Sequence, residues 1–373
     1  MPLSKIQDVE NQVIPNLGRR NILINGKFNI DQRHDFASHT ITAGSDFFAD
    51  RWGFYSNSGA VAQYGATSQV VADGSDGFDK SMKWTTTSVT GAGIPATSEV
   101  IYRQPREGYN IAHVNYGSAN AKDLILSFYV KASIAGNYGL QCQFEDTTST
   151  QNYIQRSYTV SATNTWERVT VTIPANTTKV MKYKTTGAGL RINWDFGEGA
   201  TYSTAVSNTW GTSYTNGLQG GVKLAENNGA TWQITGAQLE IGDTVSDFEH
   251  LTFAEDLALC QRYYVKYSSG TLYARLGIAS NLSTTAAEVY NYLPVPMRDD
   301  PSLETTGTVG NYCMYDSDDT LACTNLIMEG GNHDNNQLVI LDATVSSGLT
   351  DGGSSQLMGY NNTSAFIAFS SEL

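Results

Sequence analysis

Residues 232–264 read WQITGAQLEIGDTVSDFEHLTFAEDLALCQRYY, and the order of patterns in this stretch decides the fold. Ile234, Ala237, Leu239 and Ile241 make a mostly apolar strand interrupted at Gly236, and Gly242-Asp243 ends it with turn residues. Phe253, Leu257 and Cys260 then fall near one face of a short helix. A second aromatic run, Tyr263, Tyr264 and Tyr267, opens a new strand. Strand, short helical connector, strand is the signature of a junction between two β-domains.

Outward from that junction the chain keeps the same character. At 373 residues it exceeds what one core usually serves, so two domains are expected. Only 16% of residues are charged, Gly and Tyr are abundant, and short β-branched or aromatic runs alternate with turn residues. That profile belongs to an all-β sandwich or barrel rather than a helical enzyme. Leu124–Lys131, Tyr138–Phe144, Trp166–Ile173 and Leu190–Phe196 alternate with period two and suit a two-sheet jelly roll. Asn25-Gly26 within NILINGKFNI (21–30) predicts a hairpin turn. Beyond the junction, strands are expected at Cys260–Tyr267, Leu272–Ser280, Ala286–Leu293, Leu338–Asp342 and Ala365–Phe369. Pro294, Pro296 and Pro301 mark an edge or extended connection. No internal repeat is visible.

A net charge of −13 argues against a nucleic-acid partner and against anionic lipid. No apolar run reaches the length of a membrane span, and the first residues lack a signal-peptide layout, so synthesis in a cytoplasm is expected. Cys142, Cys260, Cys313 and Cys323 are dispersed, without zinc-ligand spacing. Cys142 and Cys260 read as buried thiols. Cys313 and Cys323 flank a turn and leave a hairpin disulfide open, which a reducing cytoplasm disfavours.

Two stretches, PNLGRRNILINGKFNIDQR with FFADRWGF, and GAQLEIG with FEH and CQRYY, resemble segments of bacteriophage tail-fibre proteins. The order LSFYVKAS, TWERVTVTIPANTT, LRINWDF and ATWQITGAQLEIG is similar to carbohydrate-binding-module-like β-sandwiches. PVPMRDDP and the terminal Glu372-Leu373 resemble the C-terminal domains of such fibres. The fold expected is all-β: an attachment arm over 1–20, a jelly-roll sandwich over 21–250, and a smaller, β-sandwich-like domain over 251–373. The resemblance implies a virion protein, a homotrimeric tail fibre that docks on other virion proteins through its arm. It implies attachment to host surface polysaccharide or envelope, with no catalysis, no nucleic acid and no membrane insertion. A purely structural virion component, a depolymerase and a cellular lectin remain as alternatives.

Catalytic motifs are missing: there is no GxSxG, HExxH or P-loop. Asp195 and Glu198 offer a carboxylate pair on one loop, with solvated loop acids as the competing reading. His250 reads as a satisfied junction histidine and Trp52 as core. Asp73, Asp76 and Asp79 offer oxygen ligands for a structural calcium, as do Asp316, Asp318 and Asp319, though ordinary hairpin turns use the same residues. Tyr202, Trp210 and Tyr214 lie among small polar residues in YSTAVSNTWGTSYTN (202–216), the composition of an adaptable loop that stacks sugar rings. A Trp210 packed beneath its own loop is the competing reading. Gly330–Gln337 forms a second polar tip.

Overall fold

A computed structural model describes residues 19–91, 93–329 and 336–373. The expected arm falls outside these apart from Arg19 and Arg20, and the 330–337 tip apart from Asn336 and Gln337. The chain is all-β and divides into two compact units. The first holds residues up to Phe28, Ser38–Asp46 and Trp52–Leu251; the second holds Asn29–Ala37, Phe47–Arg51 and Thr252–Leu373. Two short early segments, which a single boundary near residue 250 would assign to the jelly roll, belong to the second unit.

The first unit is a jelly-roll sandwich of two six-stranded sheets. In spatial order one sheet runs His39–Thr40, Tyr64–Val71, Ser81–Val89, Thr231–Ile241, Leu124–Ala132, Glu167–Ile173. The other runs Gly44–Phe47, Gly53–Ser56, Val100–Glu107, Ala188–Asp195, Gly136–Glu145, Gln151–Val160. Side chains alternate along each strand, and the inward sets interlock as an aromatic core. Trp52 stacks on Tyr102 at 5.2 Å between ring centroids, Phe196 meets Trp232 at 4.8 Å and Trp84 at 5.1 Å, and Phe128 meets Trp194 at 5.8 Å. Tyr64–Val71 (YGATSQVV) was not expected as a strand, because its inward set, Tyr64, Ala66, Ser68 and Val70, is small or polar at half its positions.

The hairpin expected over Asn21–Ile30 is absent. Ile22, Leu23, Ile24 and Phe28 are all buried, so the segment has no solvent face to alternate with. Its backbone is satisfied by side chains: Gln104 accepts from the Ile24 N–H at 2.8 Å and donates to the Ile24 carbonyl at 2.9 Å. Asn21 accepts from Leu239 N–H at 3.1 Å and donates to the Ala237 carbonyl at 3.1 Å. The Thr231–Ile241 strand is bulged between Thr235 and Gln238, and there the Ala237 N–H donates to the Gly26 carbonyl at 3.0 Å. A Cβ on Gly26 would stand 2.1 Å from the Ala237 carbonyl oxygen. Asn25-Gly26 is thus a turn docked into a bulge.

In the second unit Thr252 caps the Phe253–Gln261 helix in a reciprocal capping box with Glu255, which explains why TFAEDL starts a helix. Cys260 belongs to this helix and the strand begins at Tyr264. The sandwich-like second domain is corrected. Six strands, Arg275–Asn281, Ala286–Tyr292, Leu338–Val345, Asp319–Met328, Tyr312–Asp316 and Ser354–Gly359, close into a barrel. Tyr264–Ser268, Phe366–Ser370 and Ser302–Thr305 form a separate three-stranded sheet. Leu338–Val345 buries every second residue, so its sheet has one fully apolar face, and closure buries that face without a second sheet. Cys313 and Cys323 do not form a disulfide; all four cysteines are free and buried. Cys313 pairs with Ala322, so the two thiols point to opposite sides of their hairpin.

Buried charge ties this unit together. Arg51 is fully buried, paired with Glu372, and lies 3.6 Å over the Tyr263 ring. Arg33 pairs with Glu304 at 3.2 Å and lies 3.6 Å over the Tyr264 ring. Arg298 donates to the Ser371 carbonyl at 2.8 Å. Burial pushes Asp50 up to about 6, against the hydrogen bonds of Gln32 that favour its ionised form.

Two outcomes follow. Gly26→Ala forces a methyl into the Ala237 carbonyl and lowers the stability of the first unit by about 1–3 kcal/mol or more, whereas Gly211→Ala, with open space around it, leaves the melting curve in place. Glu372→Ala strips the buried Arg51 of its carboxylate and costs about 3–5 kcal/mol, read as an earlier urea midpoint.

Candidate functional site

Polar residues on a sheet face away from the core are ordinary; a polar face that is also roofed is not. In the second sheet of the sandwich, Tyr102, Trp194 and Leu140 point inward, so alternation turns Arg103, Asn193 and Gln141 outward in one cross-strand row. Arg191, Gln143, Gln155 and Tyr153 continue that surface. Asn193 donates to Gln141 at 2.7 Å and to Gln143 at 3.1 Å. Over this row runs the 203–216 loop. Its ends are tied by a short parallel pairing of Ser203–Thr204 with Gly217–Leu218. Its middle is stapled to the sheet edge, where Tyr153 and Gly211 exchange backbone hydrogen bonds at 2.8 Å. Gln141 also donates to the Thr215 carbonyl at 2.7 Å.

Two of the three aromatics singled out in the sequence come together here. Tyr202 and Tyr214 meet edge-to-face at 5.1 Å, and Tyr214 meets Tyr153 at 5.6 Å in the same manner. Tyr214 remains 39% exposed while its hydroxyl donates to Glu99. Burial, then the Glu99 carboxylate, holds that phenol un-ionised far above its ordinary range. Trp210 goes elsewhere: it is half-buried against Phe144 at 5.1 Å and Tyr116 at 5.6 Å, and its indole N–H donates to the Pro174 carbonyl at 2.9 Å. It packs beneath the loop, apart from the two tyrosines.

Tyr55, Glu99, Arg103, Tyr153 and Arg191 join the site without a signal in the loop itself. They come from four different strands or strand ends, and only the sheet register brings them together. Arg103 donates to Ser45 at 2.7 Å and lies 5.2 Å over the Tyr55 ring. Burial, then repulsion from Arg191, brings its guanidinium down to about 10.

Next to the tyrosines lies a cleft of about 460 Å³ whose lining includes Ile94, Ala96, Glu198, Ser203, Gln219 and Lys223. Asp195 is a framework group. It accepts from the Gly197, Glu198 and Leu218 N–H groups at 2.9–3.0 Å and from Lys223 at 3.0 Å. Glu198 is buried; one oxygen accepts from Val100 N–H at 3.1 Å and the other has no partner. Burial first, then the Asp195 and Glu99 charges, raise it well above the usual carboxylate range.

The candidate calcium residues do not converge. Asp73 takes Lys131 at 2.5 Å and Gln233 at 3.0 Å, while Asp76 and Asp79 are exposed. Asp316 accepts from Asn281 at 2.9 Å and from Ser317 at 2.8 Å, and Asp318 accepts from Tyr315. Among the described residues no group of three or more His, Cys, Asp or Glu is placed to hold a metal ion. His250 packs on Phe78 at 5.6 Å with near-parallel rings.

No protein-family model and no curated protein matches the chain. Among solved structures it is similar to the enzymatically active domain of tailspike protein 4 from bacteriophage CBA120, at 10% identity and a TM-score of 0.32, over 59% of this chain and 21% of that one. It is similar to the CBM22-1 xylan-binding domain of Xyn10C from Paenibacillus barcinonensis, at 12% identity and 0.27, over 56% and 96%. It is also similar to the family 11 carbohydrate-binding module from Clostridium thermocellum, solved with a mixed-linked tetrasaccharide, at 11% identity and 0.28, over 56% and 100%. At such scores these likenesses assign neither ligand nor activity to this chain.

The raised Glu198 has a measurable consequence. The folded state keeps a proton that the unfolded chain releases near pH 4.3, so this group's contribution is full below that pH and is lost as pH rises toward the folded value. Glu198→Gln therefore shows a smaller fall in Tm between pH 5 and pH 8 than the wild-type chain, and an equal fall would mean Glu198 is ionised when folded.

Proposed function

We propose that this chain is a bacteriophage virion appendage protein whose first unit binds host-surface glycan without turning it over. The observation that carries the binding reading is the meeting of Tyr202, Tyr214 and Tyr153 on a roofed, hydrogen-bonding sheet face. A pyranose presents a C–H face that stacks on such rings and hydroxyls that bond to Asn, Gln and Glu. The virion assignment, with other virion proteins and a homotrimer as partners, is supported by the tail-fibre-like segments around Asn21–Arg33, Phe47–Phe54 and Gly236–Tyr264. Support for binding without chemistry comes from Asp195, whose carboxylate is committed to four hydrogen bonds and so is not available as the second acid of a hydrolytic pair.

A second reading, a structural virion component with no receptor, draws on the roof itself. Gln141 and Asn193, the natural hydroxyl-binding groups, are buried and bonded to their own neighbours. Cell binding separates the two. Labelled protein is expected to bind candidate host cells saturably, to lose binding when surface polysaccharide is stripped, and to bind at least about tenfold more weakly as Tyr202→Ala/Tyr214→Ala. Folded, assembled protein that binds no cells favours the structural role.

A further inference from the structure

Arg191 sits in the middle of the second sheet, opposite Pro105 on one neighbouring strand and Gln143 on the other. Its side chain shares the outer face with Asn193, two residues along, and it is half-buried. No hydrogen bond or ion pair to another described residue accounts for its guanidinium. That is unusual, because a guanidinium partly withdrawn from water and given no acceptor has lost hydration without compensation. The charged and phenolic groups within its electrostatic reach leave it unspent. Tyr153, Tyr183 and Tyr214 lie within its electrostatic reach. Glu145, also within reach, is committed to Lys182 at 2.5 Å and Gln151 at 3.2 Å. Arg103 repels it, and Glu99 is taken by Tyr214. A chain with a net charge of −13 therefore keeps, on the face where its tyrosines gather, a cation with no partner among the described residues.

Two further groups on this face are unspent. The side-chain oxygens of Asn193 and Gln155 are buried without a donor. The Asn193 amide is oriented by its own N–H donations to Gln141 and Gln143, so its oxygen is left as an acceptor. Planar bidentate recognition of a carboxylate is what a guanidinium offers over an ammonium. We propose that Arg191 binds the carboxylate of an acidic sugar, a uronic or sialic acid unit, in a glycan held against Tyr214. This rests on the glycan-binding reading of the same face and specifies its ligand class.

The test is an array of uronic- and sialic-acid glycans, each printed beside its carboxyl-reduced form, probed with the full chain, Arg191→Gln, Arg191→Lys and Tyr202→Ala/Tyr214→Ala. The full chain is expected to prefer the acidic member of a pair by about tenfold. Arg191→Gln is expected to bring that ratio to about one, and Arg191→Lys to an intermediate value. A ratio within one protein does not depend on how much of that protein is folded. Equal binding to both members, or a preference that survives Arg191→Gln, overturns the acidic-sugar assignment while the tyrosine variant still reports on glycan binding. Failure of folded protein to bind any printed glycan, together with failure on host cells, overturns both.

Discussion

The sandwich depends on one local irregularity, the bulge at Gly236–Ala237. A regular strand would satisfy its own ladder and offer nothing to an incoming turn. The bulge frees the Ala237 N–H and carbonyl, and the Gly26 carbonyl and Asn21 amide take them. Gly236 has φ +60, a conformation that favours glycine, and a Cβ there would meet the Phe78 ring at 2.6 Å. Two glycines over two hundred residues apart are therefore parts of one joint. Once the Asn21–Phe28 segment is seated, the Trp52 indole N–H donates to the Ile24 and Asn25 carbonyls at 3.1 Å, and the Trp52 ring joins the Tyr102 and Trp194 stack. The core is filled by a segment that forms no strand of its own, held at the bulge by Gly26 and Asn21 and beyond it by the Ile22–Leu239 backbone bond and the side chains of Gln104 and Trp52.

The second unit solves a different problem. Its barrel closes on a one-faced apolar pattern, but the residues beside it carry arginines with little water. Arg51 and Arg33 each have a carboxylate and the face of a tyrosine ring, from the pair Tyr263-Tyr264, to offset the loss of water. The short motifs around Gln32-Arg33, Asp50-Arg51, Tyr263-Tyr264, Arg298 and Glu372 are thus joined in one network. They specify how the unit closes, and none of them needs a ligand to explain it.

This explains what was legible beforehand. Strands with strong alternation, such as Leu124–Ala132 and Glu167–Ile173, announce themselves because their inward residues are large and apolar. Tyr64–Val71, with Ala66 and Ser68 inward, does not. The Asn25-Gly26 turn was visible, but its partner is a bulge far along the chain, and local pattern carries no information about that. At the candidate site, loop composition singled out Tyr202 and Tyr214 as aromatics among Ser, Thr and Asn, and the structure brings the two rings together. Trp210 shares that composition and packs inward, since Tyr116 and Phe144, which receive it, lie on elements far along the chain. Arg191 and Asn193 alternate with Ile192 and Trp194, so an outward polar pair was readable there. That the Arg191 guanidinium has no partner among the described residues is a tertiary fact.

A loop that is both adaptable in composition and fixed in place has a physical advantage for weak recognition. The 203–216 loop is closed at its ends by a parallel pairing, fastened at Gly211, and weighted by Trp210 below. Tyr214 is held further by its hydroxyl on Glu99. Its ring is therefore placed before any ligand arrives, and little side-chain entropy is lost on contact. On the proposed glycan-binding reading, a single sugar site gives on the order of −4 kcal/mol at millimolar affinity. Rigid presentation raises that only modestly, but it fixes the direction in which each site faces. On an assembly carrying several copies, fixed direction is what lets neighbouring sites engage one polysaccharide together, and the gain in effective concentration then exceeds what any single contact supplies.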